Sequence, residues 1–184
     1  CLRSVKDSET LDNAAIAELV TSRQAIIADQ TIDPAFKALQ LELPSLTMVM
    51  ENFKPVPIAD LIEIWPQLQE QVAETLYQPL VELATQCERA LADIAEDRQQ
   101  ASKWRRLLTT CLNMLAPSGE QDVFEQARRL YHDHQSMTIK QQTLQMMHHH
   151  YSQQAEPILE SFYRVTPTKT LMLFNSTIFF LIIT

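Results

Sequence analysis

Residues 32–58 of the chain, IDPAFKALQLELPSLTMVMENFKPVPI, decide the fold. Residues 33–34, 43–45 and 55–57 each place a capping residue or a proline just ahead of an apolar segment that favours helix. Aspartate and serine accept hydrogen bonds from the first free amides of a helix, and proline fixes a backbone angle that suits the first turn. The stretch therefore predicts a run of short helices joined by tight connections.

The composition of the whole chain also favours helices. Among 184 residues there is one glycine, Gly119, far below an ordinary usage of about 7%. The tight turns of sheets and the loops that hold phosphate need glycine, so both are disfavoured. The chain is 46% hydrophobic, which is enough to form a core. We expect an all-α chain.

Charge and cysteine usage limit the partners and the compartment. The net charge of −8 is opposite in sign to a surface that binds DNA or RNA, so no nucleic-acid partner is expected. Cys1, Cys87 and Cys111 form an odd set, and the latter two lie in helical patterns where cysteine acts as a small buried hydrophobe. We expect a reducing, cytoplasmic setting, because no signal peptide is visible.

The absence of an initial methionine predicts an internal position in a longer protein, with a processed lipoprotein as the alternative.

Apolar residues recur at helical spacing nearly throughout the chain. After Pro57 a long helix is predicted as far as Leu83, with kinks or a break at Pro66 and Pro79, because each proline removes an intrahelical hydrogen bond. The clearest helix follows, and its apolar residues share one face: Trp104, Leu107, Leu108, Cys111, Leu112 and Leu115.

Helix pairs joined by short turns continue to the end of the patterned region. Helices are predicted over 123–131 and 139–147, and Pro157 is expected to begin the last one. The fold class is therefore all-α, with paired antiparallel helices in an α-solenoid-like or superhelical domain. No exact repeat period is visible.

The order and spacing of these segments resemble the C-terminal helical domain of bacterial-type zinc aminopeptidase N (alanyl aminopeptidase). The I-D-P-A run from residue 32, the following L-P-S and the proline-flanked turn are similar to the start of that domain. Residues 104–112 resemble its R-x-L-R-N-x-C-L helix, and residues 136–138 resemble its N-M-T turn. The resemblance covers about residues 14–163. Its motifs are packing and capping signals rather than active-site signatures.

The resemblance implies a non-catalytic module of an aminopeptidase N-like zinc metallopeptidase. In the family, this domain packs against the catalytic portion, encloses the active-site chamber and restricts access to small peptides. The parent would remove N-terminal residues from peptides through zinc-bound water, and its zinc would lie outside this chain. The implied partners are that catalytic portion and the peptides in its chamber, and the chain alone is expected to be inactive. The alternative is an independent α-solenoid interaction module that binds a partner helix or peptide.

The chain departs from the family pattern after residue 164. The tail VTPTKTLMLFNSTIFFLIIT is uncharged after Lys169, where the family has an acidic, tryptophan-containing segment. Its apolar run is shorter than the roughly 20 residues that cross a membrane, so no membrane partner is expected. The expected explanation of this change is a disrupted reading frame or an artificially ended fragment. We predict a helical domain over residues 1–164 and a divergent apolar tail over residues 165–184.

No catalytic, cofactor-binding or metal-binding residue is predicted in this chain. It contains no H-E-x-x-H motif, in which two histidines one helical turn apart hold zinc and the glutamate activates water. His148, His149 and His150 are consecutive, and consecutive helix residues point about 100° apart, so they do not converge on one ion. His132 and His134 are expected on different helix faces, in solvent.

Two further motifs are interpreted as structural. Glu51 lies in a Met-Glu-Asn run similar to the family's amine-recognition motif G-x-M-E-N, but the glycine is missing and the run falls in a predicted helix. We therefore interpret Glu51 as a surface or helix-end acid. Cys87 and Cys111 lack a partner base for nucleophilic chemistry. The methionines are expected in the core and the paired arginines on solvated faces: Met48, Met50, Met146, Met147, Arg105, Arg106, Arg128 and Arg129.

Overall fold

The computed structural model describes residues 13–94 and 97–165, and all regular secondary structure in these ranges is helical. A 3₁₀ turn, Ala116–Ser118, extends the sixth helix. The α-helices are α1 (Asn13–Ala28), α2 (Pro34–Leu41), α3 (Leu46–Met50), α4 (Ile58–Thr75), α5 (Tyr77–Asp93), α6 (Arg98–Leu115), α7 (Gln121–Asp133), α8 (Met137–His150) and α9 (Ser152–Val165).

The capping residues of the opening stretch act as the sequence predicts. The Asp33 carboxylate accepts a hydrogen bond from the Ala35 amide at 2.9 Å, with Pro34 as the first residue of α2. The Ser45 hydroxyl accepts one from the Met48 amide at 3.3 Å and caps α3. These side chains satisfy amides that have no partner inside their own helix. The expected run of short helices is confirmed.

The predicted long helix after Pro57 is two helices. The break lies at Leu76, and Pro79 consequently falls in the first turn of α5, where a missing amide costs no intrahelical hydrogen bond. Pro66 remains inside α4 without ending it. Its neighbours Ile64, Trp65 and Leu68 are buried, and this packing holds the helix together across the lost hydrogen bond.

One further helix boundary and the burial of one residue differ from the sequence prediction. Helix α9 begins at Ser152, before Pro157, which lies inside it. Trp104 is half-buried, whereas Leu108, Cys111 and Leu112 are buried as predicted.

The described residues form two compact units, the first ending at Gly119 and the second beginning at Glu120. In the first unit, α5 and α6 form the most extensively packed helix pair, and α2 also packs on α6. Gly119 itself has a φ of 69°, a left-handed conformation that favours glycine and ends the 3₁₀ turn. The predicted domain limits, 1–164 and 165–184, stay a prediction, since most of the tail lies outside the described residues.

The second unit contains α7, α8 and α9. Helix α8 packs against both of its neighbours in sequence. The Tyr151 ring, between α8 and α9, lies 5.4 Å from the Phe124 ring of α7, and its hydroxyl donates to the Glu120 carbonyl at 3.0 Å. Tyr151 therefore links the start of α7 to the junction of the other two helices. Within the described ranges, no helix combines the length and the apolar character needed to cross a membrane.

We predict that Leu108→Ala destabilises the first unit by about 2–5 kcal/mol, because Leu108 is 0% exposed and its loss leaves a cavity. The two tryptophans of the chain, Trp65 and Trp104, both belong to this unit, so urea unfolding followed by tryptophan fluorescence measures the effect. The matched control is Leu39→Ala at a side chain that is 51% exposed, with an expected change below about 0.5 kcal/mol. Equal effects of the two substitutions would contradict the assignment of the buried face.

Candidate functional site

The histidine run lies in the last turn of α8. His149 is exposed, His148 and His150 are half-buried, and the His149 and His150 rings meet edge-on at 4.6 Å. Burial, and to a smaller extent His149, lowers the pKa of His150 to about 4, so its imidazole is neutral at neutral pH. The described residues contain no group of three or more side chains arranged to hold a metal ion.

The other two histidines have local contacts. The His132 ring packs edge-on against the Tyr131 ring at 5.1 Å. The His134 Nδ1 accepts a hydrogen bond from the Ser136 amide at 3.0 Å, in the connection between α7 and α8. These contacts hold a turn together. The prediction that the chain contains no catalytic, cofactor or metal residue stays a prediction.

Glu51 is exposed at the C-terminal end of α3, as the sequence interpretation places it. The adjacent Asn52 donates from its side-chain amide to the Met48 carbonyl at 2.9 Å, which closes the end of the helix. Met146 and Met147 are buried as predicted, but the prediction for Met48 is wrong, because this side chain is 59% exposed. A helix of five residues such as α3 can bury only a narrow face, and Val49 is the residue on that face.

The paired arginines take part in polar contacts, within their own helix for Arg105 and Arg128 and with the end of α2 for Arg106. Arg128 donates from two nitrogens to Glu125 at 2.6 and 2.9 Å, and an Arg106 nitrogen lies 3.7 Å from a Glu42 oxygen. Arg105 donates to the Ala101 carbonyl at 3.1 Å. The Arg106 and Arg128 side chains are about half exposed, which agrees with the predicted solvated faces.

Lys37 is the most unusual polar residue of the first unit. It is 4% exposed, and its Nζ donates a hydrogen bond to the Ile27 carbonyl at 3.1 Å. That carbonyl belongs to the last turn of α1, where backbone oxygens have no partner within the helix. Burial lowers the pKa of Lys37, and the nearby Asp29 carboxylate opposes this shift. A cation at this end of α1 also complements the helix dipole.

Two buried thiols belong to the same unit as Lys37. Cys87 of α5 and Cys111 of α6 are both 0% exposed and are free thiols. The hydrogen bond with Cys87 and burial raise the pKa of Cys111, while the charge of Lys37 acts in the opposite direction. The predicted role of both cysteines as buried residues is confirmed, but the burial of Lys37 was not foreseen. Lys37 shares the buried face of α2 with Ala38 and Leu41, and only the packing of this helix shows that this face is the covered one.

The other end of α2 is held by an ion pair. Lys103 of α6 donates to the second oxygen of the Asp33 carboxylate at 2.7 Å. This hydrogen bond is the main cause of the lowered pKa of Asp33. One aspartate therefore caps α2 and connects it to α6. The sequence predicts the cap from local spacing. The pairing of Asp33 with Lys103, 70 positions away, depends on the tertiary fold.

Exposed apolar side chains are concentrated in α2, α3 and the start of α4. Phe36 and Leu39 lie one turn apart on α2, and Ile58 and Ile62 lie one turn apart on α4. Each has more than half of its surface exposed. Among the described residues, one other large apolar side chain of this kind, Met137, lies outside this region. We call this set the α2–α4 apolar surface: Phe36, Leu39, Met48, Val56, Ile58 and Ile62.

A separate groove lies between α1 and α5 and has a volume of about 360 Å³. Its apolar lining includes Ile27, Pro79 and Leu83, and the polar lining consists of Gln24, Gln30, Glu82 and Gln86. Glutamine side chains both donate and accept hydrogen bonds. The groove therefore has the chemistry to contact the backbone of a peptide.

Comparison with known proteins identifies the fold family. Residues 1–175 match a family described as a domain of unknown function (DUF3458_C) with ARM repeats. The chain belongs to this family. Stacked helical repeats are the architecture of ARM proteins, so the DUF3458_C match and the helices described above confirm the all-α, α-solenoid-like prediction. No curated protein matches this DUF3458_C chain.

We predict that the Asp33–Lys103 ion pair stabilises the folded chain at neutral pH and that this contribution is lost at acidic pH. Because the folded-state pKa of Asp33 lies below its ordinary value of 3.8, the stabilisation is present above that value and is lost as the pH falls through the lowered pKa. Asp33→Asn keeps a capping oxygen but removes the charge. Urea unfolding at a series of pH values between about 5 and 2 should show a smaller loss of stability for this variant than for the natural chain.

Lys103→Met provides the control for this acid dependence. It removes the partner and leaves Asp33 in place, so it should reduce the acid dependence in the same way. The double variant should add nothing further, because both substitutions remove one interaction. Parallel pH profiles for all four proteins would contradict the role of this ion pair.

Proposed function

We propose that this chain is a non-catalytic helical module of an aminopeptidase N-like zinc metallopeptidase. The module packs on the catalytic portion of its parent and forms part of the wall of the chamber in which peptides lose their N-terminal residues. The family match supports a helical-repeat module. The finer assignment is supported by the order of the sequence motifs, namely the capped run from residue 32, the helix over 104–112 and the turn over 136–138.

The observation that carries the proposal is the α2–α4 apolar surface. A single exposed apolar residue is ordinary on a protein surface, but several in neighbouring helices indicate a surface that another protein covers. Five of its six members come from three successive helices of the same unit, and Val56 lies in the connection before α4. We infer that the catalytic portion of the parent covers this surface.

The zinc of the parent does not fit the residues of this chain. A catalytic zinc site needs three protein ligands and a position for water, with a nearby base to activate that water. The chain has no H-E-x-x-H motif, and the described residues provide no converging set of three ligands. The proposed contribution of this module is therefore to position and enclose, and the metal chemistry belongs to the catalytic portion.

We predict that this chain binds the separately expressed catalytic portion encoded with it in the parent reading frame. Ile58→Ser combined with Ile62→Ser should weaken binding by at least about tenfold, because apolar anchors at the centre of an interface contribute most of the affinity. Isothermal titration calorimetry measures the change. Met137→Ser, at a side chain with 49% exposure, is the matched control and should change binding less than about twofold. Equal effects, or no binding of the natural chain, would contradict the proposal.

We also predict that the purified chain does not hydrolyse aminoacyl-arylamide substrates, with or without added zinc. The physical reason is that no described set of side chains can hold the metal and activate its water. The comparison is a variant with alanine at His148, His149 and His150, whose background rate should equal that of the natural chain. Zinc-dependent turnover that this triple variant abolishes would overturn the assignment and identify the histidine run as the site.

The α1–α5 groove favours a second candidate function, an independent interaction module. Its amide-lined, partly apolar wall suits an extended peptide that is held by backbone hydrogen bonds. The parent reading frame distinguishes the two candidates. An H-E-x-x-H motif followed by a downstream helical glutamate supports the aminopeptidase module, and a frame that encodes this helical region alone supports the independent module.

A further inference from the structure

Arg23 is a cation on the buried face of α1. Ile16, Val20 and Ile27 are buried, and their spacing of three or four residues places Arg23 in the same row. The Nε of its guanidinium is buried and has no hydrogen-bond partner among the described residues. Burial lowers the pKa of Arg23, and no carboxylate in the described ranges counteracts this shift. A buried donor without a partner costs free energy, so this arginine is not explained by packing.

Two other arginines show which partner suits a guanidinium in this chain. Arg106 lies beside the Glu42 carboxylate, and Arg128 donates from two nitrogens to Glu125. A guanidinium binds a carboxylate through two parallel hydrogen bonds, which are stronger than bonds between neutral groups. A carboxylate supplied by a ligand therefore satisfies the Nε donor of Arg23 and compensates for its charge at the same time.

Arg23 is adjacent to the α1–α5 groove. Gln24 directly follows it, Ile27 lies one turn further along α1, and both line the groove. Glutamine amides along the groove can bond to the backbone of a peptide, and Pro79 and Leu83 offer apolar contacts. Arg23 lies beside this lining. A peptide side chain can extend from the groove to Arg23, whereas a C-terminal carboxylate reaches it only if the backbone leaves the groove.

We propose that the α1–α5 groove binds an extended peptide with a glutamate or aspartate side chain, and that the Arg23 guanidinium pairs with this carboxylate. Backbone hydrogen bonds are common to all peptides, so the choice among peptides depends on side-chain contacts. Arg23 is then a specificity-determining residue. This inference rests on the second candidate function, the independent interaction module, and adds the class of peptide that the module takes.

Glu82 is the charged residue of the groove that opposes an acidic peptide. It is exposed on α5, and its carboxylate accepts a hydrogen bond from the Gln78 side chain at 3.0 Å. Water and salt screen an exposed charge, whereas a charge interaction at a buried atom is screened much less. The pairing with Arg23 therefore outweighs the repulsion from Glu82. A groove controlled by Glu82 would select lysine or arginine instead.

A library of acetylated and amidated pentapeptides, varied at one position at a time, tests the proposal on the full chain. Both peptide ends are uncharged, so only a side chain can supply the carboxylate. Affinity selection followed by mass spectrometry identifies the peptides that bind, and calorimetry compares matched pairs. Glutamate or aspartate at one position should bind at least about tenfold more tightly than glutamine or asparagine there. Equal binding, or selection of lysine or arginine, would overturn the proposal.

Substitutions at Arg23 test its part in this preference. Arg23→Met should weaken the best acidic peptide by at least about tenfold and change its amide counterpart by less than about twofold. Arg23→Lys should keep part of the preference, because lysine retains the charge but lacks the planar fork of donors. Circular dichroism should show that Arg23→Met does not lower the melting temperature, since an unsatisfied buried donor is removed. An acidic preference that survives Arg23→Met would contradict the assignment.

The outcomes separate this inference from the function on which it rests. If no peptide of the library binds, the independent module and the role of Arg23 are both wrong. If peptides bind without a preference for acidic residues, the module stands and the role of Arg23 alone is wrong. Neither result affects the aminopeptidase assignment, because its binding test uses the α2–α4 apolar surface.

Discussion

The hydrogen bond from the Lys37 Nζ to the Ile27 carbonyl connects the end of α1 to the buried face of α2. A carbonyl at a helix end that is covered by protein needs a partner, since water cannot supply one. The lysine provides it from a helix of eight residues, which is too short to be stable alone. With the Asp33–Lys103 ion pair at its other end, α2 is fixed to both α1 and α6.

The placement of α2 also determines which residues remain outside the core. Lys37, Ala38 and Leu41 occupy its buried face, so Phe36 and Leu39 are left exposed on the other side. A short helix that uses a lysine as a core residue exposes apolar side chains that a longer amphipathic helix would bury. Helix α2 thus connects α1 and α6 through Lys37 and Asp33. It also contributes Phe36 and Leu39 to the α2–α4 apolar surface, which we propose as the contact with the catalytic portion.

Several sequence predictions succeeded because the deciding forces are local. Asp33 and Ser45 cap their helices through atoms two or three residues away, and one glycine in the whole chain left little opportunity for sheet. Where the predictions failed, burial was set by neighbours distant in sequence. Pro66 is retained inside α4 because buried side chains support the helix, and Met48 is exposed because Val49 takes the covered position of α3. The proposed absence of a catalytic site follows from the same local reading, since zinc motifs on a helix are fixed by spacing.

The sequence by itself determined the all-α class, the helix starts at residues 33–34 and 45, and the buried face of α6, because hydrogen-bond capping and helical periodicity act within a few residues. Tertiary structure alone decided that Lys37 is buried with its Nζ on the Ile27 carbonyl, that Lys103 pairs with Asp33, and that the α2–α4 apolar surface stays exposed. The Asp33–Lys103 pair joins residues 70 positions apart in the chain. The energies of these arrangements depend on which faces meet, and no periodicity within a single helix contains that information.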